Sequence, residues 1–383
     1  MGGSFNPIHF GHTKMAAAAQ KCADLERVVF MPSGNPPHKN MTEVTNEQRY
    51  QMLLLAIAKE KTFAPSRLEL DREGVIYSVD TLKLLKKENP KSAVYFIIGE
   101  DTLHDLNKWR DYETVFTLCT FLVVRRETDT NDSYSEGLRK MRALGARIEE
   151  VAMPLFDASS TEIRTQLAQG IMPDTISPAV GAYIGLCGLY GYPAYIEGAA
   201  PMVDRLSTTQ SPSLFAHSLG VCAYARHLAE IHGADMREAT LAGLLHDCAK
   251  GLPLKRQQRL SGAQDADILS SSSLLHSSAG ERLAKDEYGI VDEAVLHAIG
   301  CHTVGAQAMN KLDMITYLAD KIELGRKPYE GLDALRRLAD EDLRAAVIQA
   351  MESTLVYLRA RKEKIHHSLS DSLKSLKRRK PNG

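Results

Sequence analysis

Short, wholly apolar runs occur only in the first half of this 383-residue chain, and this contrast constrains the fold most strongly. The clearest runs are Val28–Met31, Ala93–Ile98 and Phe121–Val124, and stretches with helical patterns, such as 48–57 and 77–87, lie between them. Strands that are apolar throughout and alternate with helices are typical of a parallel sheet covered on both faces. The first half is therefore predicted to be an α/β domain whose ligands bind beyond the carboxyl ends of its strands.

Amphipathic helical patterns replace the strands beyond residues 191–200. Apolar residues recur at helical spacing in stretches such as 221–231 and 312–323, and this spacing is typical of helices that bury one face. The length of the chain fits two domains of ordinary size. The prediction is an α/β domain over residues 1–192 and an all-α domain over residues 193–383.

The composition is that of an ordinary globular protein. Hydrophobic residues make up 44% of the chain, charged residues make up 25%, and the formal net charge is −1, so no general attraction to nucleic acid or membrane is expected. The basic tail Lys374–Lys380 is interpreted as a solvated terminus. The six cysteines form no Cys-x-x-Cys pair, which indicates reduced thiols in a cytoplasm. No membrane span or signal-peptide pattern is present, and a homodimer is left open.

The motif His9-Phe-Gly-His12 carries the first candidate site. Two imidazoles can donate hydrogen bonds to the charge that develops on phosphate oxygens during phosphoryl or nucleotidyl transfer. Gly11 keeps the turn tight, so that His12 can lie at a helix N-terminus, which favours anions. The alternative is a loop that contains two structural histidines.

The pair Gly2-Gly3 would let the backbone approach a phosphate closely. A phosphate-binding loop normally follows a buried strand, and here the pair follows Met1 directly. We therefore expect that the start given for the chain is too late and that an apolar strand precedes it.

The segment Ser159–Arg164 is predicted to open a helix with hydroxyl groups. A hydroxyl can cap the helix or bind phosphate, and the guanidinium of Arg164, one turn further on, fits phosphate oxygens. Capping alone is the alternative interpretation.

Five blocks, in order, resemble those of the bacterial nicotinate-nucleotide adenylyltransferases over about residues 1–192. The blocks are Gly2–His12, Pro36–Lys39, Tyr77–Thr81, Ile98–Asp101 with Trp109, and Ser159–Arg164. The resemblance implies a Rossmann-like nucleotidyltransferase domain. It also implies the reaction of ATP, as its Mg²⁺ complex, with nicotinate mononucleotide to give deamido-NAD and pyrophosphate.

The resemblance further implies roles for individual residues. His9, His12 and Arg164 would act on the ATP phosphates, Asp101 would contact a ribose, and Trp109 would stack on the nicotinate ring. The residues implied in substrate and ATP binding are Gly2, Gly3, Ser4, His38, Lys39, Ser78, Gly99, Asp101, Trp109, Arg126, Ser160 and Thr161. Ser78 stands where the family usually has threonine, and its hydroxyl should preserve carboxylate recognition. Nicotinamide mononucleotide or phosphopantetheine are alternative acceptors.

A second set of candidate residues lies in the helical half of the chain. Six imidazole and carboxylate side chains are candidate metal ligands: His217, His246, Asp247, His276, His302 and Asp320. These are standard ligands for iron, manganese, zinc and nickel. The adjacent pair His246-Asp247, expected on a helix, needs partners from other helices, and Asp247 could bridge two metals that activate water for hydrolysis.

This region resembles the HD phosphohydrolase superfamily and, more closely, the YqeK family of symmetrical diadenosine tetraphosphate hydrolases. The matching stretches, within a metal core at about 213–326, are His217–Val221, Leu244–Lys250, Leu274–Gly280, Ala298–Thr303 and Tyr317–Arg326. The resemblance implies one or two iron ions (or manganese or another divalent metal), with Asp247 as a catalytic ligand, and cleavage of diadenosine tetraphosphate into two ADP. It also implies that Lys250, Lys321 and Arg326 lie near phosphate, although surface charge is the alternative for these three.

Two other interpretations of the helical half stay open. It could cleave a deoxynucleotide or a guanosine polyphosphate, or bind nucleotide as a regulatory module without turnover. Cys248 and Cys301, beside candidate ligands, are interpreted as small buried residues. Histidines outside the two candidate sites are interpreted as structural: His104, His227, His232, His297, His366 and His367.

Overall fold

The computed structural model describes most of the chain. The described residues are 1–34, 44–126, 132–154, 156–262, 268–269 and 271–378. Two compact units divide them: Met1–Ser177 with Leu189–Tyr192, and Pro178–Gly188 with Pro193–Gly383. The predicted site residues His38 and Lys39 lie outside the described residues, and only the backbone of Arg126 is described.

The first unit contains two three-stranded parallel sheets. The strands are β1 (Gly2–Gly3), β2 (Val28–Pro32), β3 (Phe63–Pro65), β4 (Tyr95–Gly99), β5 (Thr120–Arg126) and β6 (Ile148–Met153). Their order is β1-β2-β3 in one sheet and β4-β5-β6 in the other. β1 lies beside β4, because a Cβ added at Gly2 would come 3.6 Å from the ring of Phe96. Across the unit the strands therefore run in the order β3-β2-β1-β4-β5-β6, and the strand order reverses between β1 and β4.

Seven α-helices accompany these strands in the described residues: six lie between strands, and the last follows β6. They are α1 (Phe10–Cys22), α2 (Asn46–Ile57), α3 (Ser78–Glu88), α4 (Glu100–Leu103), α5 (Tyr112–Leu118), α6 (Asp132–Ala143) and α7 (Ser160–Ala168). Two short 3₁₀ turns, Leu106–Lys108 and Leu189–Gly191, complete the unit. Capping explains where two helices begin: Thr45 and Gln48 form a reciprocal capping box for α2, and Ser159 caps α7.

The strands predicted from apolar runs are confirmed as β2, β4 and β5. The apolar character of β5 follows from its position, since Phe121 to Val124 are all buried between neighbouring strands and the covering helices. Helices α2 and α3 begin and end within two residues of the predicted stretches 48–57 and 77–87. The predicted α/β class of the first half is therefore confirmed.

Every regular element described in the second unit is a helix. The helices are α8 (Pro178–Cys187), α9 (Ala200–Thr209), α10 (Pro212–His232), α11 (Met236–Leu245), α12 (Leu254–Ser261), α13 (Ser272–Tyr288), α14 (Glu293–Cys301), α15 (Lys311–Ile322), α16 (Leu332–Glu341), α17 (Leu343–Ala360) and α18 (His367–Arg378). The longest, α10, packs against α8, α11 and α15. Gly243 lets α10 and α11 come close, because a Cβ there would lie 2.9 Å from the Cα of Cys222. Across the described ranges, no helix combines the length and the apolar character that a membrane span requires.

Candidate functional site

A cavity of about 940 Å³ opens in the first unit where the strand order reverses. Parallel α/β sheets bind ligands at such a point, because the loops that leave neighbouring strands diverge there. Twelve predicted site residues line the cavity: Gly2, Gly3, Ser4, His9, His12, Ser78, Gly99, Asp101, Trp109, Ser160, Thr161 and Arg164. Four of the five sequence blocks thus contribute to this one cavity, and the block Pro36–Lys39 lies outside the described residues.

The two histidines of the first motif lie at the start of α1. His9 is the N-cap residue, and His12 lies on the first turn, with ring centroids 3.8 Å apart. Gly11 makes this pairing possible, because a Cβ there would lie 2.8 Å from Nδ1 of His9. The backbone N–H of His9 donates to Nδ1 of His12 at 3.3 Å, which fixes the second ring. Both imidazoles border the cavity near a helix N-terminus, where anions are favoured.

The hydroxyls and guanidinium of α7 lie across the same cavity. Arg164 donates from Nη1 to the carbonyl oxygen of Asn6 at 2.9 Å, and its Nη2 is 3.3 Å from Oγ1 of Thr161. The hydroxyl of Ser160 donates to the carbonyl oxygen of Pro7 at 3.1 Å. These bonds tie the start of α7 to the loop that precedes α1. Two helix N-termini and one guanidinium therefore converge on a region suited to a polyphosphate.

Trp109 borders another part of the cavity and is only partly buried. Its ring packs edge-on against Phe96, at 5.4 Å between centroids, and against Phe121, at 6.3 Å. These contacts support the indole from the core while leaving it within reach of a ligand. A flat aromatic ligand can stack on such a ring, and the carboxylate of Asp101 lies exposed on the same cavity.

Sequence patterns missed one buried residue beside this cavity, Arg49 of α2. Its side chain is fully buried and donates to the carbonyl oxygens of Ser4 and Ser33, both at 2.6 Å, and to Oδ1 of Asn46 at 2.7 Å. Ser4 and Ser33 follow β1 and β2 and both line the cavity. Burial lowers the pKa of Arg49 to about 10, still far above neutral pH. One guanidinium thus joins the two loops that form this wall.

The six candidate metal ligands of the second unit come together. His217 lies on α10, His276 on α13 and Asp320 on α15, while His246 and His302 directly follow the last residues of α11 and α14. Except for His217, all are nearly or fully buried. Nε2 of His217 lies 3.1 Å from Oδ1 of Asp320, and Nε2 of His246 lies 3.8 Å from the same atom. Because α11 ends at Leu245, the pair His246-Asp247 lies in the turn after this helix, not on a helix as the sequence predicts.

Asp247 lies at the centre of this group. Its Oδ1 is 3.1 Å from Nε2 of His276 and 3.6 Å from Nε2 of His302. Its Oδ2 is 3.3 Å from Nε2 of His246 and 3.8 Å from Nε2 of His217. Each carboxylate oxygen thus faces two imidazole nitrogens, an arrangement in which one carboxylate can bridge two metal positions.

The donor set fits a divalent metal. Nδ1 of His246 lies 2.8 Å from the carbonyl oxygen of Gly243, and Nδ1 of His302 lies 2.8 Å from that of Ile299. When each Nδ1 carries the proton, Nε2 keeps a free lone pair, as in many metal-binding histidines. Nε2 of His246 is buried and makes no well-oriented hydrogen bond to any described residue. Such an atom is costly to bury without a partner, and a metal ion would supply one.

Local charges keep both carboxylates ionised. Burial alone would raise the pKa of Asp247, but the neighbouring imidazoles, that of His246 foremost, hold this pKa well below its usual value. Burial would also raise the pKa of Asp320, but Lys321 and His217 hold that pKa well below its usual value too. Ionised carboxylates are the form that binds a metal.

Three cations border the ligand group. Nζ of Lys250 lies 2.8 Å from Oδ2 of Asp247, Nζ of Lys321 lies 2.8 Å from Oδ2 of Asp320, and Nη2 of Arg326 lies 2.6 Å from Oδ1 of Asp320. All three side chains are partly exposed at the site, so they can also contact an anionic ligand. Each of these three cations thus pairs with a proposed metal ligand.

Glu323 is a second residue that sequence patterns missed. It is buried, and its Oε1 lies 3.3 Å from Nδ1 of His217. A carboxylate at Nδ1 orients the ring and leaves Nε2 directed at Asp320. The signal was available in the sequence: Glu323 stands three residues after Asp320 on the same helical face.

Comparison with known proteins follows the same division of the chain. The cytidylyltransferase-like family matches residues 1–166, and the HD domain family matches residues 214–325. The chain is 30% identical to a probable nicotinate-nucleotide adenylyltransferase/Ap4A hydrolase of Mycoplasma genitalium, and the match covers 91% of this chain and 94% of that relative. The chain belongs to this two-domain family.

Other relatives correspond to single halves of the family's architecture. A probable nicotinate-nucleotide adenylyltransferase of Thermoanaerobacter sp. is 36% identical over 48% of this chain and 90% of that protein. A crystal structure of a predicted HD superfamily hydrolase involved in NAD metabolism, from Clostridium acetobutylicum, is 36% identical over 48% of this chain and all of that one, with a TM-score of 0.47. The resemblance to both families noted from the sequence is confirmed, as is the order of a Rossmann-like domain and a helical HD domain. The HD match and the ligand groups indicate divalent-metal binding.

Proposed function

We propose that this chain joins two enzymes with separate sites. The first unit transfers AMP from ATP to nicotinate mononucleotide, giving deamido-NAD and pyrophosphate. The second unit hydrolyses diadenosine tetraphosphate symmetrically to two ADP with one or two bound divalent ions, of which iron is our first choice. The names of the full-length and single-domain relatives support both halves. Free thiols throughout the chain and nucleotide substrates support a cytoplasmic location.

One observation supports the first half of the proposal: His9, His12, Arg164 and Trp109 border the same cavity. His9, His12 and Arg164 would hold the triphosphate of the ATP–Mg²⁺ complex and neutralise charge as it develops. The phosphate of nicotinate mononucleotide then attacks the α-phosphorus in line, one P–O bond forms, and the bond to pyrophosphate breaks. No side chain has to act as a nucleophile, so catalysis here is positioning and charge stabilisation.

Trp109 and Ser78 would set the choice of acceptor. The indole offers a stacking face for the pyridine ring, and the hydroxyl of Ser78, at the first residue of α3, can donate to the ring carboxylate. Rates with nicotinate mononucleotide, nicotinamide mononucleotide and phosphopantetheine, measured with the full chain and ATP, test this assignment. A nicotinate preference is expected, and equal or greater rates with either other acceptor would reject it.

The central position of Asp247 carries the second half of the proposal. His217, His246, Asp247, His276, His302 and Asp320 would hold the metal. A bound divalent metal would act as a Lewis acid: it would lower the pKa of water to give hydroxide, and it would stabilise charge on the departing phosphate. The side chains of Lys250, Lys321 and Arg326 would bind the polyphosphate and orient it for symmetric attack. Their pairing with the ligand carboxylates keeps them beside the metal positions before substrate arrives.

Product analysis of the full chain tests the second half. Incubation with diadenosine tetraphosphate should release ADP alone, since symmetric cleavage breaks the central bridge. Formation of ATP with AMP would refute the symmetric assignment, and unchanged substrate with metal-loaded protein would refute hydrolysis. His12→Ala should abolish deamido-NAD formation and leave this hydrolysis intact, which tests whether the two sites act independently.

A further inference from the structure

We call the six candidate ligands His217, His246, Asp247, His276, His302 and Asp320 the HD centre. A second group of metal-ligand side chains lies outside it. His297 and Cys301 stand four residues apart on α14, and Asp313 lies on the first turn of α15. Their ligand atoms all lie within 4.8 Å of one another. Nδ1 of His297 lies 2.8 Å from Oδ1 of Asp313 and 4.0 Å from Sγ of Cys301. This group shares no residue with the two ligand groups of the HD centre.

The separations are close to those of a tetrahedral zinc site. Bonds of about 2.0 Å to nitrogen and oxygen and about 2.3 Å to sulfur place neighbouring ligands roughly 3.3 Å (N to O) and 3.5 Å (N to S) apart. The observed distances of 2.8 and 4.0 Å differ from these by only about 0.5 Å each. A small rotation of the half-exposed His297 ring would adjust both.

The surroundings suit a bound ion. Asp313 is fully buried, and its Oδ2 is anchored by the backbone N–H of Asn310 at 2.8 Å, which leaves Oδ1 aimed at His297. Cys301 is buried, whereas 51% of the His297 side chain is exposed. The group therefore has two buried ligands, Cys301 and Asp313, and is open to solvent at His297. Glu281 borders the same stretch of α14, since a Cβ added at Gly300 would come 2.2 Å from its Oε2.

We propose that His297, Cys301 and Asp313 bind one zinc-class divalent cation at a second metal site. A thiolate, an imidazole and a carboxylate favour zinc over the harder cations, and water at the open side would complete four-coordination. Binding would displace the thiol proton of Cys301 to solvent, leave the proton of the neutral His297 ring on the other nitrogen, Nε2, and form bonds from Sγ and Nδ1 to the metal. A hydrogen-bonded His–Asp pair with a thiol that donates to the carbonyl oxygen of Ala298, 3.8 Å away, is the alternative without a metal.

Cobalt substitution separates this site from the HD centre. The ligands of the HD centre are nitrogen and oxygen only, so a thiolate-to-cobalt charge-transfer band in the full-length protein can come only from a cysteine. We expect this band in the native chain and its loss in Cys301→Ser and in His297→Ala. Metal analysis after zinc loading should find about one equivalent fewer per chain in both variants.

Two matched controls make the result decisive. His227 is similarly exposed and lies 3.3 Å from Asp340, a His–Asp pair without a cysteine, so His227→Ala should keep the band and the zinc count. Cys222→Ser removes a buried thiol in α10 and should keep both as well. The proposal is overturned if Cys301→Ser retains the native band and zinc count, or if His227→Ala loses as much zinc as His297→Ala. Thermal unfolding of each variant, with and without zinc, excludes misfolding: every folded variant should gain stability from zinc at the ligand group around Asp247, and chains with the intact second site should gain more.

Discussion

Replacement of Gly11 by alanine gives the sharpest test of the adenylyltransferase site. The added Cβ would lie 2.8 Å from Nδ1 and 2.9 Å from Cε1 of His9. Carbon and nitrogen in van der Waals contact are about 3.5 Å apart or more, so the imidazole must move by roughly 0.7 Å. Displacement of a catalytic group by about 1 Å can cost roughly 100-fold in rate. We expect kcat/KM for deamido-NAD formation to fall about 10- to 100-fold, equivalent to about 1.4–2.7 kcal/mol.

The expected change in stability is much smaller. Alanine is favoured over glycine in a helix by about 1 kcal/mol, which offsets part of the strain. Ala17→Gly, on the exposed face of the same helix, changes helix propensity by a similar amount without touching His9. Pyrophosphate release measures the first activity, and diadenosine tetraphosphate hydrolysis by the same protein serves as an internal control. A Gly11→Ala rate within two-fold of native, or an equal loss in Ala17→Gly, would refute the steric argument.

Substitutions at three further positions test other parts of the two sites. In initial-rate kinetics, Trp109→Ala should raise KM for nicotinate mononucleotide at least about ten-fold more than KM for ATP. Trp109→Phe keeps an aromatic face, so its KM for nicotinate mononucleotide should lie much closer to the native value. Arg49→Lys keeps the charge but loses the fork that joins two loops, so we expect about 2 kcal/mol lower unfolding free energy by denaturant titration and slower adenylyl transfer, with normal hydrolysis. Asp320→Asn should lower bound metal by elemental analysis and reduce tetraphosphate hydrolysis more than about 100-fold while adenylyl transfer persists; full metal content with full hydrolysis would contradict its assignment as a ligand.

Local sequence signals predicted the buried strands and missed the others. β2, β4 and β5 are apolar because both of their faces are covered, so their sequences carry the signal. β1 has two residues, and β3 has three and ends in proline, so neither is long enough to produce a pattern. β6 contains Glu149 and Glu150, both exposed, because it pairs with β5 alone on the edge of its sheet. Edge strands tolerate charge, and for this reason their sequences resemble loops.

Motif blocks identified the residues of each site, but tertiary packing determines their partners. Arg49 lies at helical spacing from the buried residues Met52 and Leu53. The sequence therefore could have predicted a charged residue on the apolar face of α2. The sequence could not predict that Arg49 joins two loops, because its acceptors are backbone carbonyl oxygens of residues far away in the chain. Backbone acceptors carry no side-chain identity, so no sequence pattern can reveal them.

The same local arrangement of a histidine at a helix C-terminus occurs twice in the HD centre. His246 and His302 each follow the last residue of a helix, and Nδ1 of each lies 2.8 Å from the carbonyl oxygen three residues earlier. A carbonyl at a helix C-terminus has no intrahelical partner, so the imidazole satisfies it and directs Nε2 toward Asp247. Successive residues at a helix end point about 100° apart. Cys301, immediately before His302, is therefore directed away from the HD centre toward Asp313, and one helix end can serve two separate ligand groups without sharing an atom between them.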